Sequence, residues 1–547
     1  MGTEHGPTTR SPRRRVVILG GGFAGVHTAL ALEKLRGRQA DFDITLVNRE
    51  NYFVYQPLLA EIVSSSIGPY DTVSPLRRLL RKTEIQVRTV ETVDLKNRLV
   101  TTSPGFKPVA HQIPYDHLVL ALGNVPDFSR IPGLTQHALP FKHLGDALHL
   151  RNHLIHVLEE AAIEADPALK QALLTFVVIG GGFAGVECAA ELNDFVRQVA
   201  RTYPNIAPQQ VRVVLLELLE HILPELGDKL RPRAERVLAR KGIEIRLKTR
   251  ITAATGDEVI LEEKRGEEWR EISPIATKTL VSTVPSGPNP IVAGLDLPKH
   301  EMSKRITVDR QMQVEGSDHL WALGDCALIP HPCGKGFCPP TAQYAVREAP
   351  VAAHNIVAAI RGSEPKQFAF KGMGKLGALG HHSAVGELMG MPVSGLPGWL
   401  IWRAVYLTLL PGWDRQVRTG LAWLAHTILP TDIVQLKTEH GQGIIQEHYE
   451  PGQIVFHQND LGDRFYIILE GRCEVVRTEN GTEQKLRELG PKDYFGELAL
   501  LNQTTRTATV RAIEPLNVLS IPKPEFSALV THLRELRDSF QETSERG

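Results

Sequence analysis

The run Gly-Gly-Gly-Phe-Ala-Gly occurs twice in this 547-residue chain, each time between a short aliphatic strand and a helix rich in small residues. Val16-Val17-Ile18-Leu19 feeds into Gly20, Gly22 and Gly25, with a helix expected from Val26 to Leu35. Phe176-Val177-Val178-Ile179 feeds into Gly180, Gly182 and Gly185, with a helix opening on Val186-Glu187-Cys188. In G-x-G-x-x-G the glycines allow a tight turn and close approach of the backbone to a pyrophosphate, which rests on the helix N-terminus. Two copies in this setting imply two dinucleotides, most economically FAD in one and a nicotinamide cofactor in the other.

The second strand of each unit should end on a residue that grips the adenosine ribose. After the second copy, Val211 to Leu216 ends at Glu217, which suits NADH because a 2′-phosphate would meet a like charge. The residues that follow, Leu218 to His221, offer no arginine to receive that phosphate. After the first copy, Asp43 to Val47 ends at Asn48, which can bond a ribose hydroxyl without bringing charge.

Lys and Arg together number 62, as do Asp and Glu, so nothing points to nucleic acid as a partner. Five cysteines without framework spacing suit a reducing compartment, and the absence of C-x-x-C argues against chemistry of the thioredoxin-reductase type. No metal-ligand pattern is read. The polar stretch to Arg15 lacks the apolar core of a secretion signal, and no uncharged run reaches the roughly 20 residues of a spanning helix.

Further segments resemble the type II NADH dehydrogenases, flavoproteins with two dinucleotide-binding domains. These are Asn51 to Leu59, Ile113 to Gly123, Ile131-Pro132-Gly133-Leu134, Leu320 to Asp325, and Pro339-Pro340-Thr341-Ala342-Gln343-Tyr344-Ala345. The resemblance covers roughly residues 14 to 437. It implies an enzyme that passes electrons from NADH through FAD to a quinone. Gly123, Asp325 and Ala342 would then border the FAD, Glu187 would stand between nicotinamide and flavin, and Gln343 would border the quinone channel. Arg347 stands where many members carry a second glutamine. Cys333 and Cys338, with Cys188 beside the second glycine turn, leave sulfide:quinone reduction as an alternative, and a soluble iron-sulfur acceptor as another.

From Leu396 to Leu410 and again to Leu429, aliphatics alternate with Trp399, Trp402, Trp423, Arg403, Arg415 and Arg418. Helices of this kind lie in the plane of a membrane interface. The expected placement is peripheral, on the cytoplasmic face of the cell membrane.

Past Gln435 the texture changes to short alternating strands punctuated by glycine, the pattern of a small all-β barrel. Phe495 to Leu501 followed by Arg506-Thr507-Ala508 resembles the phosphate cassette of cyclic-nucleotide-binding domains. The resemblance implies cAMP or cGMP as ligand. Gly496, Leu498 and Ala499 would offer backbone amides to the cyclic phosphate, Arg506 its charge, and Glu497 an acceptor for the ribose 2′-OH. Thr507 could accept from the guanine 2-amino group. Phe526, Leu529, Val530, Leu533, Leu536 and Phe540 outline a terminal amphipathic helix able to cap the barrel or pair in a homodimer.

The expected architecture is therefore α/β with tandem Rossmann-like domains, then amphipathic helices, then a jelly-roll barrel with flanking helices. The segments are a tail (1–14), a first FAD part (15–150), an NADH domain (151–285), a second FAD part (286–385), membrane helices and linker (386–437), and the barrel (438–547). A competing reading is a nucleotide sensor whose flavoprotein half is not catalytic.

Overall fold

A computed structural model describes residues 13–37, 41–105, 109–284, 286–334, 336–436, 444–479, 482–501, 505–523 and 525–526. The N-terminal tail before Arg13 and the terminal amphipathic helix beyond Phe526 lie outside the described residues. The chain divides into two units: residues 1–87 with 115–436, and residues 88–114 with 437–547.

In chain order, the first unit contains β1 (Arg14–Leu19), α1 (Phe23–Arg36), β2 (Phe42–Asn48), α2 (Leu59–Val63), β3 (Glu84–Val87), β4 (His117–Leu120), β5 (Ala138–Pro140), β6 (Thr175–Ile179), α3 (Phe183–Ala200), β7 (Arg212–Leu216), α4 (Arg231–Arg240), β8 (Ile243–Arg246), β9 (Thr279–Ser282), β10 (Leu320–Ala322), α5 (Ala342–Arg361), β11 (Gly374–Ala378), β12 (Ala384–Leu388), β13 (Met391–Ser394), α6 (Gly395–Leu409) and α7 (Trp413–Ile428). These elements make two five-stranded parallel sheets, β10-β4-β1-β2-β3 and β5-β9-β6-β7-β8. Both are doubly wound sheets, so their central strands are aliphatic throughout: Val16 to Leu19 and Phe176 to Val178 are almost wholly buried. The crevice beyond the carboxyl ends of such strands is where ligands bind.

The two central crossings are alike bond for bond. Leu19 pairs with Val47 and the Gly20 amide donates to the Val47 carbonyl at 2.9 Å; Ile179 pairs with Leu216 and the Gly180 amide donates to the Leu216 carbonyl at 2.9 Å. The short antiparallel sheet β11-β12-β13 leads directly into α6.

The second unit holds the barrel strands β14 (Ile445–Tyr449), β15 (Ile454–Phe456), β16 (Arg464–Glu470), β17 (Cys473–Glu479), β18 (Thr482–Leu489), β19 (Tyr494–Phe495), β20 (Thr509–Ala512) and β21 (Leu516–Pro522), with the short helix α8 (Glu497–Leu501). They form two four-stranded antiparallel sheets, β14-β21-β16-β19 and β15-β20-β17-β18. Phe456, Tyr466, Phe495, Val510 and Val518 fill the space between them. A three-stranded antiparallel sheet of Val90–Asp94, Leu99–Thr102 and His111–Pro114 counts with this unit, although nothing in its sequence announces that grouping.

Candidate functional site

At the first glycine turn Gly20 has φ +106°, and a Cβ there would sit 2.3 Å from the Ala121 carbonyl oxygen of the neighbouring strand end. A Cβ on Gly25 would lie 1.9 Å from the Gly20 carbonyl oxygen. Glycine is required at both for steric reasons alone. Gly22 differs, since no protein atom lies within 4 Å of its virtual Cβ. It is the N-cap of α1 and has no side-chain cap, so the first amides of the helix face open space. The second turn repeats this: Gly180 has φ +107°, a Cβ on Gly185 would lie 1.8 Å from the Gly180 oxygen, and Gly182 faces open space at the uncapped start of α3. Both mouths fit a pyrophosphate, which would supply the acceptors that these amides lack.

Asn48 and Glu217 occupy equivalent places and do equivalent work. Asn48 Oδ1 accepts from the Gly21 amide at 2.8 Å, while its Nδ2 donates to the Glu50 carbonyl at 2.8 Å. Glu217 Oε2 accepts from the Gly181 amide at 2.5 Å and its Oε1 from the Leu219 amide at 2.8 Å. Each side chain pins its turn and keeps acceptor capacity for a further partner: the carboxylate by its unused lone pairs, the amide by the second lone pair of Oδ1.

Gly123 and Gly324 both take left-handed backbone, with φ +68° and +73°. A Cβ on Gly324 would meet Ala24 Cβ at 2.9 Å. Asp325 follows, and burial raises its carboxyl pKa while Lys142 and Arg305 oppose the rise. Ala342 begins α5, whose first amides Thr341 leaves uncapped. The buried Glu348 on α5 accepts from the Gly324 amide at 2.9 Å, and burial lifts its pKa to about 7. Gln343 is engaged with backbone: its Nε2 donates to the Gly374 carbonyl at 3.1 Å and its Oε1 accepts from the Met373 amide at 3.3 Å. Arg347 is exposed and lies over the Phe370 ring at 5.6 Å.

Glu187, the fifth residue of α3, accepts from the Ala378 amide at 2.9 Å. Burial pushes its pKa up to about 8, the Ala378 hydrogen bond opposes the rise, and the Glu191 and Glu61 carboxylates add to it. Sequence reasoning missed these two neighbours. Glu61 and Glu191 are 3% and 2% exposed, and burial holds both above the usual carboxylate range. The Trp423 indole donates to Glu61 Oε2 at 2.5 Å, and Arg403 donates to Oε1 at 3.4 Å. The Arg403 guanidinium lies 4.0 Å from the Trp399 ring centre and 4.6 Å from that of Trp423. Two signals were available: an acid inside the apolar run Leu58-Leu59-Ala60-Glu61-Ile62-Val63, and a second acid four residues beyond Glu187 on one helix face.

This arrangement corrects the expected orientation of the amphipathic pair. Trp399, Trp402 and Trp423 are buried, and Arg403 turns inward with them to balance Glu61. The exposed face consists of Leu396, Leu400 and Leu409 on α6, then Trp413, Val417, Leu421, Leu424 and Ile428 on α7. Among the described residues no helix is long and apolar enough to cross a membrane.

All five cysteines are free. Cys188, Cys326, Cys338 and Cys473 are buried, and burial raises the Cys338 thiol to about 12. Cys333 is exposed.

In the barrel, Gly496 (φ +89°) precedes α8, and a Cβ there would meet the Arg506 guanidinium at 2.6 Å. Arg506 is 2% exposed; it donates to the carbonyls of Gly496 and Arg464, both at 2.7 Å, stands 3.4 Å from Asp463 and covers the Phe456 ring at 4.0 Å. Among the described residues its Nε has no partner. The buried Glu497 likewise keeps an Oε1 without a partner, and burial raises its pKa. Leu498 is half-buried, Ala499 buried and Thr507 exposed. Unpartnered atoms at Glu497 and Arg506 fit a ligand that donates to one and accepts from the other.

The chain matches the family model of the pyridine nucleotide-disulphide oxidoreductases over residues 14–358, and that of the cyclic nucleotide-binding domain over residues 446–532. It is 29% identical over 428 residues to the type II NADH:quinone oxidoreductase NdhA of Mycobacterium tuberculosis, covering 76% of this chain and 88% of that protein. It is 30% identical over 419 residues to the demethylphylloquinone reductase NdbB of Synechocystis, covering 76% and 97%. The solved structure of NDH2 from Plasmodium falciparum in complex with NADH shares the fold, with a TM-score of 0.70 at 18% identity over 77% of this chain and all of the other.

Proposed function

The chain belongs to the pyridine nucleotide-disulphide oxidoreductase family, and from that premise we propose that it is a type II NADH:quinone oxidoreductase carrying a cyclic-nucleotide-binding module. The observation that carries this reading is the pair of open glycine turns, one closed by a neutral Asn48 and one by the buried carboxylate Glu217. FAD, bound at the first turn, supplies the two-electron redox chemistry that connects NADH to quinone. The chain's own residues do the positioning. The α1 and α3 amides hold the two pyrophosphates, with Asn48 and Glu217 taking the adenosine ribose of FAD and NADH. Gly123, Asp325 and Ala342 border the flavin. Glu187, protonated below about pH 8, keeps a neutral acid beside the reacting rings and can hold or release a proton there. Gln343 braces the Met373–Gly374 backbone at the start of β11, and through it the quinone side of the site.

Two further elements of the reading rest on surfaces. The exposed aliphatic face of α6 and α7 seats the enzyme peripherally on the cytoplasmic face of the membrane, where a lipid-dissolved quinone is reached. The barrel takes cAMP or cGMP, with the phosphate at Arg506 and the α8 amides and the ribose 2′-OH at Glu497. Control of turnover requires that the nucleotide bind two conformations of the enzyme unequally.

One experiment tests the whole. Purified protein should be yellow, should oxidise NADH with a soluble quinone, and should show heat on titration with cAMP or cGMP that Arg506→Ala removes. Absence of flavin, or equal kcat/KM for NADH and NADPH, would sink the enzymatic assignment. No heat from either nucleotide would leave the barrel silent, and an unchanged rate at saturating nucleotide would leave it a binding module only.

A further inference from the structure

α4 carries Arg233, Arg236 and Arg240 at positions i, i+3 and i+7, which puts all three on one helix face. That face borders a groove of ≈ 370 Å³ whose floor includes Val237 and Val385 and whose far wall is Ser394 and Gly395, the start of α6. The three guanidiniums are exposed and, among the described residues, none is ion-paired; Arg236 Nε reaches only the Pro232 carbonyl of its own helix at 3.2 Å. Arg231, two residues before Arg233 and on the other side of the helix, is by contrast tied to Asp228 and to the Leu226 carbonyl. Ser394 provides no side-chain cap for α6. Beyond the same wall the surface turns apolar, with Met391 63%, Leu396 51% and Leu400 56% exposed.

We propose that this groove is a binding site for the headgroup phosphate of an anionic phospholipid. The assignment rests on the reading that α6 and α7 lie on a membrane, and it adds what that surface recognises. A planar guanidinium fork matches phosphate oxygens two at a time, and three forks with no competing carboxylate make a site for negative charge rather than for a zwitterion. The apolar floor and the adjoining exposed aliphatics suit the glycerol and acyl part of the same molecule. The occupant is thus a lipid with a net negative headgroup, such as phosphatidylglycerol, lying with its chains toward the α6 surface.

The test uses the full-length flavoprotein in co-sedimentation with vesicles of phosphatidylcholine alone and of phosphatidylcholine with about one third phosphatidylglycerol. A basic residue at an anionic surface is worth about fivefold in partitioning. Wild-type protein should therefore bind the anionic vesicles at tenfold lower lipid concentration or better. The triple variant Arg233→Gln, Arg236→Gln, Arg240→Gln should lose that preference, keep wild-type binding to neutral vesicles, and oxidise NADH with a soluble quinone at the wild-type rate. A triple variant that retains the preference overturns the site. Equal wild-type binding to both vesicles overturns it too while leaving the membrane reading intact, whereas no binding to either vesicle removes both. Inorganic phosphate at matched ionic strength should weaken the wild-type preference and leave the triple variant unaffected. Phosphate-dependent stabilisation of wild type without any vesicle preference would mark a free-anion site and overturn the lipid assignment.

Discussion

The helices α1 and α3 open on the same seven residues, Gly-Gly-Gly-Phe-Ala-Gly-Val, and then part company: His27 follows in one and Glu187 in the other. Everything demanded by the turn itself is shared, down to the position at which a Cβ would strike the preceding backbone. What differs is the residue that pins the turn from the second strand, Asn48 against Glu217, and the titratable residue at the fifth position of the helix, His27 against Glu187. Repetition of backbone with divergence of charge is how one chain can hold two different dinucleotides in two similar sockets. On the proposed function the turn would supply affinity for pyrophosphate, and the surrounding side chains would decide which molecule brings it.

The comparison breaks most completely if the shared part is damaged one copy at a time. Gly25→Ala and Gly185→Ala each place a methyl within 2 Å of a backbone oxygen that no side-chain motion can relieve. Gly25→Ala should yield protein without flavin. Gly185→Ala should keep its flavin and its yellow colour but lose saturable NADH oxidation, with KM raised by two orders of magnitude or more. Absorbance at the flavin band and steady-state kinetics check both, and the same phenotype from the two variants would show that the turns do not divide the cofactors between them. Gly22→Ala and Gly182→Ala are the contrast, because their Cβ atoms meet nothing of the protein. Thermal stability should be retained there, and any loss must come from the ligand.

A smaller break concerns nucleotide choice. Glu217→Gln removes a negative charge and leaves one of two backbone amides facing an N–H instead of an oxygen. Charge-assisted bonds of this kind contribute about 1.5–3 kcal/mol. The ratio of kcat/KM for NADH over NADPH should fall by roughly tenfold to a hundredfold, mostly through KM. A ratio that does not move would separate Glu217 from ribose recognition.

The glycine turns were legible because their information is local: six residues, a strand before and a helix after. So were the barrel and the acid at the end of β7. The inward turn of Trp399 and Trp402 was not, because α6 is apolar around most of its circumference and has no polar stripe to mark which side is buried. The partner of Arg403 lies 342 residues away in α2, a pairing only the tertiary structure brings about. Glu191 could be placed on the face of Glu187 by its spacing, yet its near-complete burial depends on α2 and on the loop at His381. Gln343 shows a different limit. Its motif is short and readable, but that both ends of its amide would be taken by Met373 and Gly374 could not be inferred from the motif.

The divergent helix positions predict opposite pH limbs of stability. Burial is the first cause at each. It lowers His27 from 6.5 to about 4, with Arg347 and Lys34 adding to the effect, and it raises Glu187 from 4.5 to about 8. For His27 the folded state binds fewer protons than the unfolded chain, so its contribution is present above pH 6.5 and is lost as pH falls through about 4. For Glu187 the folded state binds more, so its contribution is present below pH 4.5 and is lost as pH rises through about 8. His27→Gln should therefore flatten the acid limb of a melting-temperature profile and Glu187→Gln the neutral-to-alkaline limb, each by a few degrees. Variants that flatten the same limb would mean that the two positions do not experience burial in the way their environments imply.

The finest distinction is between Asn48 and the charge it lacks, and Asn48→Asp addresses it. If charge at the end of the second strand were what a dinucleotide site wants, the substitution should tighten FAD, since a carboxylate accepts a ribose hydroxyl more strongly than an amide. The local geometry argues the other way. Asn48 Oδ1 already accepts from the Gly21 amide, and an aspartate keeps that bond. But Nδ2 donates to the Glu50 carbonyl at 2.8 Å and lies 3.4 Å from the Glu50 carboxylate. An aspartate would set an oxygen against both acceptors, and at Glu217 no such acceptor is opposed, because both of its oxygens receive amides. Losing one neutral hydrogen bond costs about 0.5–1.5 kcal/mol, so FAD should bind a few-fold to roughly tenfold more weakly. Reconstitution of the flavin-free protein, followed by the quenching of flavin fluorescence, measures this directly. Tighter binding in Asn48→Asp would mean that ribose contact outweighs the pinning of the turn. The neutral residue in the first socket would then be a missing charge, and its fit to Glu50 would carry no weight in holding the flavin.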